Sequence, residues 1–211
     1  SNFFIHGAAA YVFTFSMNAP QWPVASLGIS SSLKLSNTQT LSFGIYGSDP
    51  EVTNESINTN GFQLRRSYTG TLKIIEWQTT RESNLFKLGF FSDNNRFGFY
   101  EGLTSSLNAL YLIREGLLTS PSSRTEVSYH FGFSHAFNNQ TAPINYDLRG
   151  AVFARPTEWK KEVTFALGYF YPHVNQDYLE NLNIRSESFA ELSASLPLNK
   201  NATIQLSTQY I

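Results

Sequence analysis

Apolar and polar side chains alternate with a period of two along most of this sequence. The segment 162–171 places Val, Phe, Leu, Tyr and Tyr at odd positions against Glu, Thr, Ala and Gly at even ones, and 127–134 repeats the pattern. Side chains of a β-strand point to opposite faces in turn, whereas a helix would repeat every 3.6 residues. The alternation therefore predicts two-faced β-strands.

Eleven segments follow this pattern and are separated by polar turn residues. We predict one strand for each: Ala9–Met17, Ala25–Ser36, Leu41–Tyr46, Thr71–Thr80, Leu85–Phe91, Leu107–Leu117, Val127–Phe137, Ile144–Arg155, Glu162–Tyr171, Glu187–Leu196 and Ala202–Ile211. Short turns that alternate with longer connections favour an up-and-down antiparallel order.

The chemistry of the polar faces separates two fold classes. They carry mainly Ser, Thr, Gly, Ala and Asn, and only 15% of all residues are charged. A soluble sandwich normally shows Lys and Glu to water, whereas a transmembrane barrel turns its apolar face to lipid and places aromatic girdles at both interfaces. Rings at the strand ends fit such girdles: Tyr11, Phe15, Tyr129, Phe137, Tyr169, Tyr171 and Tyr210. We predict an all-β antiparallel transmembrane β-barrel, with a soluble β-sandwich or jelly roll as the alternative.

Composition excludes several functions. The formal net charge is −1, which provides no basic field for nucleic acid. The chain has no Cys, and two of its four His, His130 and His135, are five apart and so point to opposite faces of a strand. Neither a nucleophile elbow nor a phosphate-binding glycine loop occurs. We therefore predict no enzymatic activity, no cofactor, no metal site and no nucleic-acid partner.

The predicted number of strands indicates whether this chain alone can close a barrel. Single-chain bacterial barrels have even numbers of strands, and eleven is odd. Because the count is odd and the sequence ends inside a predicted strand, we expect residues 1–211 to form a single barrel domain that lacks N-terminal strands and the last C-terminal strand. An open edge would leave backbone groups unpaired in lipid, so we expect the working protein to supply these strands.

Several short motifs resemble the carbohydrate-selective porin (OprB-type) family of Gram-negative outer membranes. They include the glutamates of 187–191, the Gln-Tyr-Ile triplet of 209–211, the glycine-opened strand 150–156 that ends in Arg-Pro, and the segments 70–76 and 87–89. The segments 22–28 and 44–46 are also similar, although Leu206-Ser207 stands where the family has Pro-Asp.

The resemblance implies a sixteen-stranded barrel in the bacterial outer membrane, with a lipid bilayer around it, small sugars as permeants and a possible homotrimer. On this interpretation the chain corresponds to the later two-thirds of the barrel. Some four N-terminal strands and one C-terminal strand would complete it.

A sugar pore needs hydrogen-bonding groups around its lumen and weak binding at several places. We assign ten polar residues to the lumen: Lys34, Glu76, Lys87, Arg114, Arg149, Arg155, Glu187, Glu191, Gln205 and Gln209. Opposite charges are mixed in this set, which suits neutral hydroxyls better than ions. The alternative is that they are ordinary lumen charges that brace the barrel wall.

The sequence thus favours passive diffusion of small neutral sugars through a water-filled barrel. Two alternatives remain open at this point: a soluble β-sandwich that binds glycans, and an outer-membrane barrel with a structural or adhesive role.

Overall fold

The computed structural model shows a chain built from β-strands. It describes residues 28–48, 70–94, 106–120, 122–137, 144–159, 162–175, 186, 188–199 and 202–210. Among these residues no helix is long and apolar enough to cross a membrane. The predicted strand Ala9–Met17 lies outside the described residues.

Ten strands are present in the described part of the chain. They are β1 (Gly28–Lys34), β2 (Gln39–Ser48), β3 (Gly70–Arg81), β4 (Asn84–Asp93), β5 (Leu107–Leu117), β6 (Thr125–Ala136), β7 (Ile144–Pro156), β8 (Thr164–Val174), β9 (Phe189–Asn199) and β10 (Ala202–Tyr210). Each of the other ten predicted segments overlaps one of them, so the alternating pattern located the strands.

All ten strands belong to one sheet in the order β1 to β10. Every neighbouring pair is antiparallel. This is the up-and-down order that the connections predicted. Within the described residues, β1 and β10 each pair with one neighbour only, so these ten strands form an open sheet.

The two faces of the sheet differ in burial and chemistry. We call the face that carries Glu76 and Glu191 the inner face, because its side chains are the more deeply buried ones, and the face that carries Leu88 and Leu167 the outer face.

The outer face exposes large apolar side chains. Ile29 is 73% exposed, Leu167 56% and Leu206 69%, and the same face also exposes Phe43, Ile75, Leu88, Phe90, Phe131, Val152 and Leu192. Water-facing sheets do not present such a continuous apolar surface. The outer face is therefore built to contact an apolar medium.

The two ends of the sheet differ in the length of their connections. At one end, which we call the short-turn end, successive strands are joined by four, two, seven, seven and two residues. At the opposite, long-loop end the connections have 21, 13, seven and 14 residues. Outer-membrane barrels have short periplasmic turns and longer extracellular loops. In a barrel of this kind, the short-turn end would be the periplasmic one.

The inner face is not polar throughout. Toward the long-loop end, β3 to β6 carry a buried apolar cluster of Leu72, Phe91, Leu107, Ala109, Tyr111 and Ala136. The sequence analysis did not predict this cluster. For some members, such as Tyr111, the neighbours on the outer face are also apolar, so the alternation does not distinguish the two faces there.

Candidate functional site

Glu76 on β3 is the centre of the first polar group of the inner face. Lys87 on β4 donates from Nζ to Glu76 Oε1 at 3.1 Å, and the Tyr111 hydroxyl on β5 donates to Oε2 at 2.6 Å. Both carboxylate oxygens thus have a donor. The residues come from three neighbouring strands, so the group also ties these strands together.

Gly89 on β4 makes this geometry possible. In the sheet register it lies directly between Glu76 on β3 and Tyr111 on β5. The Tyr111 ring occupies the space above Gly89, where a Cβ atom would collide with it. A side chain at position 89 would therefore separate Tyr111 from Glu76.

A second group joins β6 to β7. Asp147 is fully buried and accepts a hydrogen bond from the Ser134 hydroxyl. Arg149 donates from Nη2 and Nε to Asp147 Oδ1 at 2.8 and 3.1 Å, and its aliphatic part lies against Gly132. Two N–H groups on one carboxylate hold the guanidinium in a defined orientation.

Two further hydrogen-bonded side-chain pairs lie nearer the short-turn end of the inner face. His130 Nδ1 on β6 lies 2.8 Å from Glu115 Oε1 on β5. Arg155 Nη2 on β7 contacts both oxygens of Glu126 on β6, at 3.1 and 3.0 Å. Each pair is only partly buried, so it faces solvent from the inner surface.

The last group belongs to β9 and β10. Glu191 is fully buried and accepts hydrogen bonds from the Ser193 hydroxyl at 2.8 Å and from Gln209 Nε2 at 3.3 Å. Gln205 lies on the same face of β10, opposite Ser195. Lys34 lies on the inner face at the end of β1, opposite Thr40.

The structure places eight of the ten predicted lumen residues on the inner face. They are Lys34, Glu76, Lys87, Arg149, Arg155, Glu191, Gln205 and Gln209. Another, Glu187, lies outside the described residues.

The prediction for Arg114 is wrong. Its neighbours in the register are Phe86 and Phe131, which lie on the outer face, and its guanidinium carbon lies 5.9 Å from the centre of the Tyr129 ring. The next residue, Glu115, takes the inner position instead. Both faces of β5 are rich in apolar residues, so the alternation could not show which of the two points inward.

Sequence reasoning also missed several inner-face residues that hold the groups together. These are Ser134, Asp147, Tyr111, Glu126 and Glu115. Parity could have found two of them, because Asp147 lies two positions before Arg149 on β7 and Glu126 lies directly across from Arg155. The other three lie on β5 and β6, where the sequence analysis had placed no residue correctly on the inner face.

The sequence comparison identifies the family. Residues 2–211 match the family described as carbohydrate-selective porin, OprB family. The chain belongs to this family. OprB-family porins are outer-membrane proteins, so this chain is an outer-membrane protein.

The fold agrees with that of a solved OprB. The chain is similar to Pseudomonas putida OprB in a structure determined at high pH, with a TM-score of 0.76 and 14% sequence identity. The match covers 94% of this chain and 56% of that chain, so the chain spans just over half the length of the solved protein. Among curated proteins no relative matches.

The architecture and the family together decide between the fold classes considered above. The described strands form one sheet rather than two packed ones, and its apolar face is open. The soluble β-sandwich interpretation is therefore wrong. The sheet is part of an antiparallel OprB-type β-barrel, and its outer face is apolar.

Proposed function

We propose that the protein is a channel for passive diffusion of small neutral sugars across the outer membrane. The inner face lines a water-filled lumen, and the solute moves down its own gradient without covalent chemistry or a cofactor. The family assignment and the chemistry of the inner face support this proposal.

The single observation that carries it is the charge pairing on the inner face. Glu76, Glu126 and Asp147 contact Lys87, Arg155 and Arg149, respectively. Neighbouring charges of opposite sign largely cancel at a distance, so they produce no strong field for one sign of ion. A neutral solute meets fixed donors and acceptors and pays no electrostatic penalty for entry.

Uncharged groups supply most of the accessible inner surface of the edge strands. Ser32 and Ser42 face each other at 2.9 Å on β1 and β2, and Gln205, Ser207 and Gln209 follow one another on β10. Hydroxyl and amide groups exchange hydrogen bonds readily with sugar hydroxyls. Weak binding at several such places lets a solute enter and leave.

The proposal extends beyond the ten described strands. An open sheet edge in lipid would leave backbone groups unpaired at several kcal/mol each, so other strands have to close the barrel. We infer that these belong to the same barrel domain. A bilayer around the outer face, sugars in the lumen and a homotrimer complete the proposed set of partners.

Uptake into proteoliposomes tests the proposal. The full-length protein is reconstituted, and swelling rates are measured with glucose, anionic gluconate and cationic glucosamine, which are similar in size. We expect glucose to enter faster than both charged analogues. A clear preference for either charged analogue would show that charges of one sign dominate the lumen, and it would contradict the proposal.

Single-channel conductance separates transport from a structural role. In a planar bilayer we expect open channels whose ion current falls reversibly as glucose or maltose is added. A barrel that inserts but conducts no ions would support the structural or adhesive alternative, and conductance insensitive to both sugars would exclude a sugar-binding lumen.

A further inference from the structure

The outer face carries an unexpected polar cluster at the short-turn end. It consists of Arg81 at the end of β3, Asn84 at the start of β4, Arg114 on β5 and Tyr129 on β6, and we call it the Arg81–Arg114 cluster. All four side chains lie on the face that otherwise exposes apolar residues to lipid. The apolar character of this face does not explain them.

The register brings the four residues together. Arg81 is paired with Asn84, and Tyr129 with Gly116. The Asn84 amide and the Tyr129 ring both lean over Gly116, where a Cβ atom would lie 3.0 Å from Tyr129 Cε1 and closer still to Asn84. The missing side chain at Gly116 thus lets Asn84 and Tyr129 pack together over this strand, and Arg114 adjoins them through its contact with Tyr129.

The two guanidinium groups are available for a ligand. Both residues are exposed, and among the described residues neither is within ion-pair distance of a carboxylate. Strands are about 4.8 Å apart, so Arg81 and Gly116 are about 10 Å apart across β4. Two long arginine side chains can therefore approach one ligand from the two sides of Asn84.

The position along the strands indicates which ligand. Short turns mark the periplasmic side of an outer-membrane barrel, so the cluster lies at the height of the headgroups in the periplasmic leaflet. Arginine forms paired hydrogen bonds with phosphate, and tyrosine and arginine are typical residues of a membrane interface. A neutral amide beside them adds a further donor.

We propose that the Arg81–Arg114 cluster binds the phosphate of a glycerophospholipid headgroup in the periplasmic leaflet. Arg81 and Arg114 supply the charge, and Asn84 and Tyr129, which lie over Gly116, supply additional donors. The acyl chains then lie along the apolar outer face of β4 to β6, next to Phe86 and Phe131. The site concerns the lipid side of the wall and does not depend on which solute crosses the lumen.

Native mass spectrometry of the full-length protein in detergent tests the proposal, with dioleoyl-phosphatidylglycerol as the probe. We expect the double variant Arg81→Gln, Arg114→Gln to bind this lipid at least about tenfold more weakly than the unmodified protein, because two interfacial arginines are lost. Lys73→Gln is the matched control. Lys73 is an exposed cation on the outer face of β3 near the long-loop end, and its loss should change affinity by less than about twofold.

Further ligands and a further variant show whether the site recognises the phosphate or the acyl chains. Dioleoylglycerol has the same acyl chains without phosphate and should bind much more weakly, whereas inorganic phosphate should compete poorly because it lacks the chains. The Arg81→Lys, Arg114→Lys variant should keep most of the binding, and heat-modifiable gel mobility confirms that each variant is folded.

Unchanged lipid binding in the glutamine double variant would overturn the proposal, as would an equal loss in Lys73→Gln or equal binding of dioleoylglycerol. A changed oligomeric state with unchanged lipid binding would show that the cluster contacts another protein chain instead. Sugar-dependent conductance should be the same in all variants, so failure of this site and failure of sugar transport are distinguishable.

Discussion

At the scale of single residues, the inner face depends on hydrogen bonds that join side chains far apart in sequence. Tyr111 and Glu76 are 35 positions apart, yet the hydroxyl lies 2.6 Å from the carboxylate. Tyr111 is 4% exposed, so water cannot replace this bond easily. A buried hydrogen bond to a charged group contributes more to stability than one between neutral groups.

Tyr111→Phe tests that contact. We expect the change to lower the free energy of unfolding by about 1–3 kcal/mol, because Glu76 loses one donor and keeps Lys87. Tryptophan fluorescence during urea unfolding from lipid vesicles provides the measurement.

Tyr46→Phe is the control for this change. It removes a hydroxyl from the same face, and the described residues contain no hydrogen-bond partner for that hydroxyl. It should leave stability nearly unchanged. Equal effects of the two changes would show that the Tyr111–Glu76 bond contributes nothing specific.

At the scale of strands, register decides which side chains meet. Glu76, Gly89 and Tyr111 lie in one row across β3, β4 and β5. A shift by one residue in either pairing would move Tyr111 away from the carboxylate and turn a whole strand over. The ring above Gly89 therefore also helps to fix the register of three strands.

Gly89→Ala tests this role of the row. Its Cβ atom would collide with the Tyr111 ring, and we expect a loss of stability of about 1–3 kcal/mol together with a weaker Tyr111–Glu76 contact. Combined with Tyr111→Phe, the two losses should be less than additive, because both disrupt the same contact.

Gly150→Ala is the matched control on β7. The nearest atom to a Cβ atom at this position is the His130 carbonyl oxygen at 4.0 Å, so a methyl group fits. We expect a neutral or slightly stabilising effect. A loss as large as that of Gly89→Ala would mean that glycine is needed for backbone reasons rather than for the tyrosine ring.

At the scale of the whole molecule, the sheet has the reverse of the polarity of a water-soluble protein. Apolar residues such as Leu88 and Leu167 are exposed, while Asp147 and Glu191 are buried on the inner face. This arrangement is stable only when lipid covers the outer face and water reaches the inner one.

Leu88→Arg tests the reversed polarity. Leu88 is 44% exposed and lies near the middle of β4 on the outer face. In a bilayer we expect a cost of about 2–4 kcal/mol in the unfolding free energy measured from lipid vesicles. Ser32→Arg, at an exposed inner-face position, should cost much less. Equal and small effects of the two changes would contradict a lipid-facing outer surface.

The sequence determined the strands, their order and most of the inner face. Side chains alternate strictly along a strand, so one run of alternating residues assigns every member to a face, and eight of the ten proposed lumen residues lie on the inner face for this reason. The family motifs added the bacterial outer membrane and the porin family.

Only the tertiary structure decided which side of β5 points inward and which charges form pairs. In 110–113 both faces of β5 carry large apolar or aromatic side chains, so the alternation shows that the strand has two faces but not which face points inward. Hydrogen bonding to β4 and β6 places Arg114 outward and Glu115 inward. The ion pairs and the Arg81–Arg114 cluster likewise form between strands. Their distances depend on register and on the space above glycines, which no single segment of sequence contains.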